Sequence, residues 1–163
     1  MVETKKLKEV AACLNKESDN LNITIQKIQD KINGYNIGLE VWGDILISQD
    51  VKMPEDINGN FISPFHGATS KANEVILGYA NTQEGWGLAI QRREIYYRPD
   101  LDDGDMEYAG SYNLGKPQSL LKASREIRIK ALKYLQDLVD IIQGKAEESL
   151  DSIEEAKKLA DEL

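Results

Sequence analysis

The groups best suited to chemistry in this chain are cationic and aromatic, and they crowd into "QRREIYYR", residues 91–98, directly after the apolar run "WGLAI". On strict strand alternation Arg92, Glu94, Tyr96 and Arg98 continue the face of Trp86, Leu88 and Ile90, while Arg93, Ile95 and Tyr97 point the other way. A core face cannot run on through Arg92 unless the strand leaves the core there or bulges. In both cases cations and rings reach the rim of a sheet. A second source is "KASREIRIKAL", whose Arg125 and Arg128 stand three apart and so share one helical surface. Guanidinium forks match phosphate oxygens, and tyrosine or tryptophan faces match a nucleobase. Trp86, Arg92, Arg93, Tyr96, Tyr97, Arg98, Arg125 and Arg128 therefore form the candidate ligand-binding set, with Trp42, Tyr79, Tyr108 and Tyr112 as further walls of a nucleotide-sized pocket. The competing account is ordinary surface pairing: Arg92 and Arg93 with Glu94 or the acidic "DLDDGDMEY", Arg125 and Arg128 with Glu126 or carboxylates at the sheet edge. The pocket depends on whether the helix arginines converge with the strand.

Other chemistries find little support. His66 is the only histidine, and no nucleophile-elbow pattern surrounds Ser63, Thr69 or Ser70 beside it, so a hydrolytic triad is not expected. Read as an EF-hand with Gly104 at its sixth position, "DLDDGDMEY" leaves Pro99 and Leu101 where acids are required. No mixed His and carboxylate spacing suggests a transition metal. Neither G-x-G-x-x-G nor a Walker lysine pattern follows a strand and opens a helix, which argues against nucleoside triphosphate turnover. Binding without catalysis, metal or cofactor is the expectation. An acidic protein-interaction module, such as an inhibitor of a nucleic-acid enzyme, is the alternative, and an enzyme ranks third.

The overall charge agrees with a small ligand better than with a polynucleotide. With 20 basic and 28 acidic residues the chain carries a net charge of -8, whereas a duplex binder needs surplus Lys and Arg to neutralise phosphates. Between residues 34 and 116 the cations are Lys52, Lys71, Arg92, Arg93, Arg98 and Lys116, against thirteen acids. Half of those six cations lie in the one short run, where a local patch can still focus a field on an anion. Cys13 is the single cysteine, so no disulfide or cysteine metal site forms within one chain, and a reduced cytoplasmic setting is expected. No apolar run approaches the roughly 18 residues of a membrane span, and "MVETKKLKEV" lacks the apolar centre of a signal peptide.

The elements that must position these groups suggest one α+β domain over residues 1–163. Residues 1–34 form a helical arm: Leu7, Ala11, Leu14, Ser18, Leu21, Ile25, Ile28 and Ile32 make a heptad seam, with a candidate break at Ser18 and a stop at Asn33-Gly34. Residues 35–116 hold a small antiparallel sheet and loops. "YNIGLEVWGDILISQ" reads as a strand, 50–74 as a long connection, "EVILGYA" and "WGLAIQRREIYYR" as a hairpin around "NTQEG", and "PDLDDGDMEYAGSYNLGKPQS" as a second long loop. Residues 117–163 are helical, with Pro117 and Ser119 as start signals and Gly144 as a candidate kink or split into a helix pair. Their stripe runs through Leu132, Leu135, Val139, Ile142, Ala146, Ser149, Ile153, Ala156, Ala160 and Leu163, and Leu138, Ile141, Leu150 and Leu159 widen it. Such stripes suit long helices packed in coiled-coil fashion and exceed what one small sheet covers, so burial between subunits, a homo-oligomer, is expected.

At "ILGYA", "GWGLAIQRRE" and "SREIRIKALKYLQDLVDII" the chain resembles small phage and prophage proteins in which a hairpin precedes an Arg-bearing helix. Its helix, sheet and helix plan is similar to that of the phage sponge proteins that counter Thoeris defence. The resemblance spans roughly residues 75–142; the N-terminal helix and the extension past Gly144 depart from it. It implies a non-catalytic oligomer in the host cytoplasm that sequesters a cyclic ADP-ribose-type signal or a cyclic oligonucleotide, as an immune-evasion device. Arginines and an aromatic ring are the residue types such a pocket needs. No membrane and no sequence-specific nucleic acid are implied.

Overall fold

The β2–β3 hairpin organises the chain. In the computed structural model, which describes residues 2–52, 70–99 and 106–162, β2 (Ser70–Thr82) pairs with β3 (Gly85–Pro99) in unbroken antiparallel register from Thr82↔Gly85 to Ser70↔Tyr97. The turn is two residues, Gln83 and Glu84, and Gly85 takes the positive φ of 94° that follows it. Before the hairpin come α1 (Val2–Gly34) and β1 (Val41–Lys52); after it come β4 (Met106–Asn113), β5 (Gln118–Ser119), α2 (Arg125–Ala131) and α3 (Leu135–Glu162). The sheet order is β1-β2-β3-β4, and β5 pairs with β3 at Ala89 and Ile90, on the edge that β4 occupies further along. The protein is thus α+β, with a long helix at each end of a small antiparallel sheet.

Alternation places Val41, Ile45, Leu77, Tyr79, Leu88 and Ile90 on one face of the sheet, where they meet Leu21, Ile25 and Ile32 of α1, Ala131 of α2, and Leu135, Leu138 and Ile142 of α3 in one core. Each fully buried Leu or Ile in it contributes about 1.5–3 kcal/mol. α1 packs along β3, and α3 packs along β1 and β2. The stripes expected to form a seam between the two long helices therefore face the sheet, because the apolar sheet face is the larger surface to cover.

Several boundaries differ from the sequence expectation. α1 passes Ser18 without a break, since Ser18 is buried and sits in the packed half of the helix. α3 likewise runs through Gly144; the interruption falls earlier, at a 3-10 turn, Leu132–Tyr134, between α2 and α3. The helical start is capped by Ser124, whose Oγ accepts from Ile127 N, while Pro117 precedes β5 and Ser119 is its last residue. Residues 50–52 and 70–74, expected in a connection, extend β1 and β2, and "MEYAGSYN", expected in a loop, is β4. His66 and most of "DLDDGDMEY" lie outside the described residues.

Gly78 is buried against Trp42, and a Cβ there would meet the indole and lie 2.7 Å from the Val41 carbonyl oxygen, a backbone atom that cannot swing away. Gly144 has nothing within 4 Å of its added Cβ. Urea denaturation should therefore separate the two: Gly78→Ala is expected to lower stability by about 1–3 kcal/mol, and Gly144→Ala to raise it by about 0.5–1 kcal/mol. Equal shifts would contradict this packing.

Candidate functional site

The strands outrun the helices. Leu88 and Ile90 are fully covered, but Arg92, next on the same face, is exposed although the β2–β3 register has no bulge. The strand has simply left the core. From there three cross-strand rows share the face: Ser48, Val75 and Arg92; then Asp50, Asn73, Glu94 and Tyr112; then Lys52, Lys71, Tyr96 and Gly110. Leu114 extends the first row, its N–H donating to the Arg92 carbonyl at 2.7 Å. Successive rows lie roughly 7 Å apart, two residues of strand rise. β1 joins the first row through the register shift between Leu46 and Ser48.

Glu94 is the hub of the second and third rows. It accepts from Tyr96 Oη, from Tyr112 Oη at 2.7 Å and from Lys71 Nζ at 3.5 Å. The Tyr96 and Tyr112 rings stack with centroids 5.6 Å apart, and Lys71 Nζ sits 4.9 Å from the Tyr96 ring centre. The hydrogen bond from Tyr96, then that from Tyr112, holds the Glu94 carboxyl below the ordinary glutamate range, with the Lys71 charge adding to the effect. The same bonds push both phenols up, Tyr96 chiefly through Glu94 and Tyr112 through Tyr96 and Glu94.

Beside this hub a recess of about 410 Å³ is lined by Ser48, Gln49, Asp50, Asn73, Glu74, Val75, Arg92 and Leu114. The Arg92 guanidinium makes no hydrogen bond or ion pair with the described residues. The other arginines of the candidate set are engaged. Arg93, on the opposite face, donates to the buried Glu74 at 2.9 Å and lies 3.8 Å from Asp44; Gln49 Nε2 also donates to Glu74, at 2.7 Å. Arg98 pairs with Glu107 at 3.0 Å.

Arg125 and Arg128 do not converge with the strand. Both turn toward α1: Arg125 donates to Asn15 Oδ1 at 2.9 Å, and Arg128 donates to Asn22 Oδ1 at 2.5 Å and to the Leu121 carbonyl. They tie α2 to α1, a role set by helix packing. Trp86 is also placed elsewhere, stacked on Tyr79 at 5.6 Å against the core, with its carbonyl accepting from Asn33 and the Tyr79 phenol donating to that same Asn33. Tyr97 is half-buried on the face of Arg93, Trp42 lies over Gly78, and Tyr108 is exposed near Ser111 Oγ. Of the expected set, Arg92, Tyr96 and Arg98 thus share the uncovered face, and Tyr112 joins them. Lys71, Asn73 and Glu94 complete it. The alternation in "SKANEVILGYA" could have flagged the first two, because Lys71, Asn73, Val75, Leu77 and Tyr79 form one face.

Among the described residues no group of three or more His, Cys, Asp or Glu side chains is arranged to hold a metal ion, and no helix is long and apolar enough to cross a membrane. Comparison with protein-family models, with curated proteins and with solved structures returns no match.

Because the folded Glu94 carboxyl lies below its ordinary value, its stabilising effect is fully present above about pH 4.5 and is lost as pH falls through the folded value. Glu84, held down by Lys122, and Glu126, held down by Lys130, act in the same direction. Denaturant midpoints measured down the acid range should therefore fall, and Glu94→Gln should fall less steeply than the native chain. A variant retaining the whole acid loss would mean that the two phenols do not converge on this carboxylate.

Proposed function

We propose that the protein is a non-enzymatic binding protein that sequesters a small anionic nucleotide, of the cyclic ADP-ribose or cyclic oligonucleotide kind, on the uncovered part of its sheet. One observation carries the reading: Arg92 keeps a guanidinium uncommitted to any described residue at the wall of a nucleotide-scale recess, next to a stacked tyrosine pair. A phosphate needs an arginine whose fork is not already occupied. The Tyr96 and Tyr112 rings, one to two rows along the same face, offer an aromatic platform for base or ribose, and Lys71 adds a second cation. Asp50 at the wall of the recess and Glu94 in the row beside it limit how much negative charge it accepts. That favours a ligand with few phosphates and sets duplex nucleic acid aside. Sequestration of an immune signal is also what the resemblance to Thoeris-countering phage sponges implies.

Calorimetric titration with cyclic ADP-ribose isomers and cyclic dinucleotides tests this directly. At least one ligand should bind with roughly micromolar affinity or better. Arg92→Ala should weaken it about 10- to 100-fold, the worth of one charged hydrogen bond, whereas Arg125→Ala should leave it unchanged. Silence across the panel at tens of micromolar would overturn the reading, and a macromolecular partner recovered alongside that silence would favour the acidic interaction module instead.

A further inference from the structure

Two stretches of helix leave the body with their apolar stripes bare. In α1, Leu7 is 68% exposed and Val10 and Leu14 are exposed with it; in α3, Leu150 and Leu159 are 61% and 60% exposed, with Ile153 between them. Contacts within the body fix where these stretches go. Leu14, Leu21 and Thr24 of α1 share a groove with Ile129 and Leu132, while Ile32 shares a second one with Val139, Ile142 and Ala146. Residue numbers rise together along both sides, so α1 and the α2–α3 run point the same way. The first half of α1, residues 2–17, exposed at every residue from Thr4 on and touching α2 only at its base through Leu14, Asn15 and Glu17, therefore leaves one end of the helical layer, and the last part of α3, residues 147–162, exposed over most of its length to Asp161, leaves the other. Each arm is about 24 Å long at 1.5 Å per residue.

We infer that a second copy of this chain covers both arms, each α1 arm lying antiparallel on the α3 arm of the partner copy. A two-fold axis perpendicular to the helices carries the α3 arm of one copy to the end from which the α1 arm of the other protrudes, so both pairs close at once and no stripe is left over. Charge selects this pairing over like-with-like contact. The α3 arm holds seven acids and two lysines, the α1 arm four lysines and three glutamates. Two α3 arms together would repel, whereas α1 on α3 brings opposite net charge to the flanks of the apolar seam. With the bases of the arms level, Leu14 comes opposite Leu150, and Lys5 and Lys8 fall within a turn of Glu154, Glu155 and Asp161. If about half of each arm faces its partner, roughly 16 residues per copy are covered besides the flanks, near the roughly 20–30 a side of a specific complex. The pairing does not rest on the Arg92 reading, because neither arm lines that recess.

Sedimentation of the full chain across a concentration series should give twice the 18.3 kDa chain mass. The triple variant Lys5→Glu, Lys6→Glu, Lys8→Glu should weaken self-association at least tenfold with an unchanged far-ultraviolet spectrum, and adding Glu154→Lys and Glu155→Lys should restore it. In a Cys13→Ser background, a disulfide should form when Leu14→Cys and Leu150→Cys chains are mixed, and not in either alone. A monomer at tens of micromolar, a dimer indifferent to the charge reversals, or Leu14→Cys chains linking only to one another would each overturn the proposal.

Discussion

The unbroken pairing of β2 with β3 is the constraint on which the rest depends. A side chain's face in a strand is set by parity, and one inserted residue would exchange the two faces for everything beyond it. Because the register holds from the turn to Ser70↔Tyr97, a single parity class runs from Tyr79 and Leu88 through Leu77 and Ile90 to Arg92, Glu94 and Tyr96. The apolar members of that class recruit the helices. The polar members continue in the same plane, already oriented, to the part of the sheet that the helices do not reach. The candidate site is thus an extension of the core face, held by the same backbone ladder and requiring no loop to position it.

The arginines show how one residue type divides into structural and available members. Arg93 is on the other parity class, where Glu74 is almost fully buried, and Arg93 and Gln49 both donate to its carboxylate. Arg125 opens the short α2 and Arg128 lies one turn further on, beside a polar stretch of α1 that offers Asn15 and Asn22. Arg92 faces Val75 and Ser48 across the ladder, neither of them a carboxylate, and Glu94 two residues on is occupied by two phenols and a lysine. Its lack of a partner among the described residues follows from those neighbours.

Much of the fold was legible because it rests on periodicity. The heptad stripes marked both long helices and the alternating run from Trp86 marked the hairpin and the face of Arg92. β4 was not legible: "MEYAGSYN" contains glycine, alanine and serine, and only Tyr108 and Tyr112 carry strand character, so pairing with β3 decides its state. The beginning of β2 was hidden for a related reason, since Ser70, Lys71 and Asn73 are polar on a surface where apolar residues are the usual signal. Convergence of Arg125 and Arg128 with Arg92 could not be read either. Sharing a helical surface says that two arginines point together, but the direction depends on which element the helix packs against, and here that element is α1.

The two halves of the molecule answer different demands with one device, an element longer than its cover. Strands that continue past the helices expose backbone already satisfied by ladder bonds, so the cost of extension is small and the reward is an ordered polar face. Helices that continue past the sheet expose apolar stripes instead, and isolated helical turns gain little from propensity alone. The first kind of overhang is stable in water as it stands. The second is not self-sufficient, because every bare leucine in it forgoes the burial that holds Leu138 and Ile25 in place. That difference is why we propose a polar ligand for the overhanging sheet and another helix for the overhanging helices.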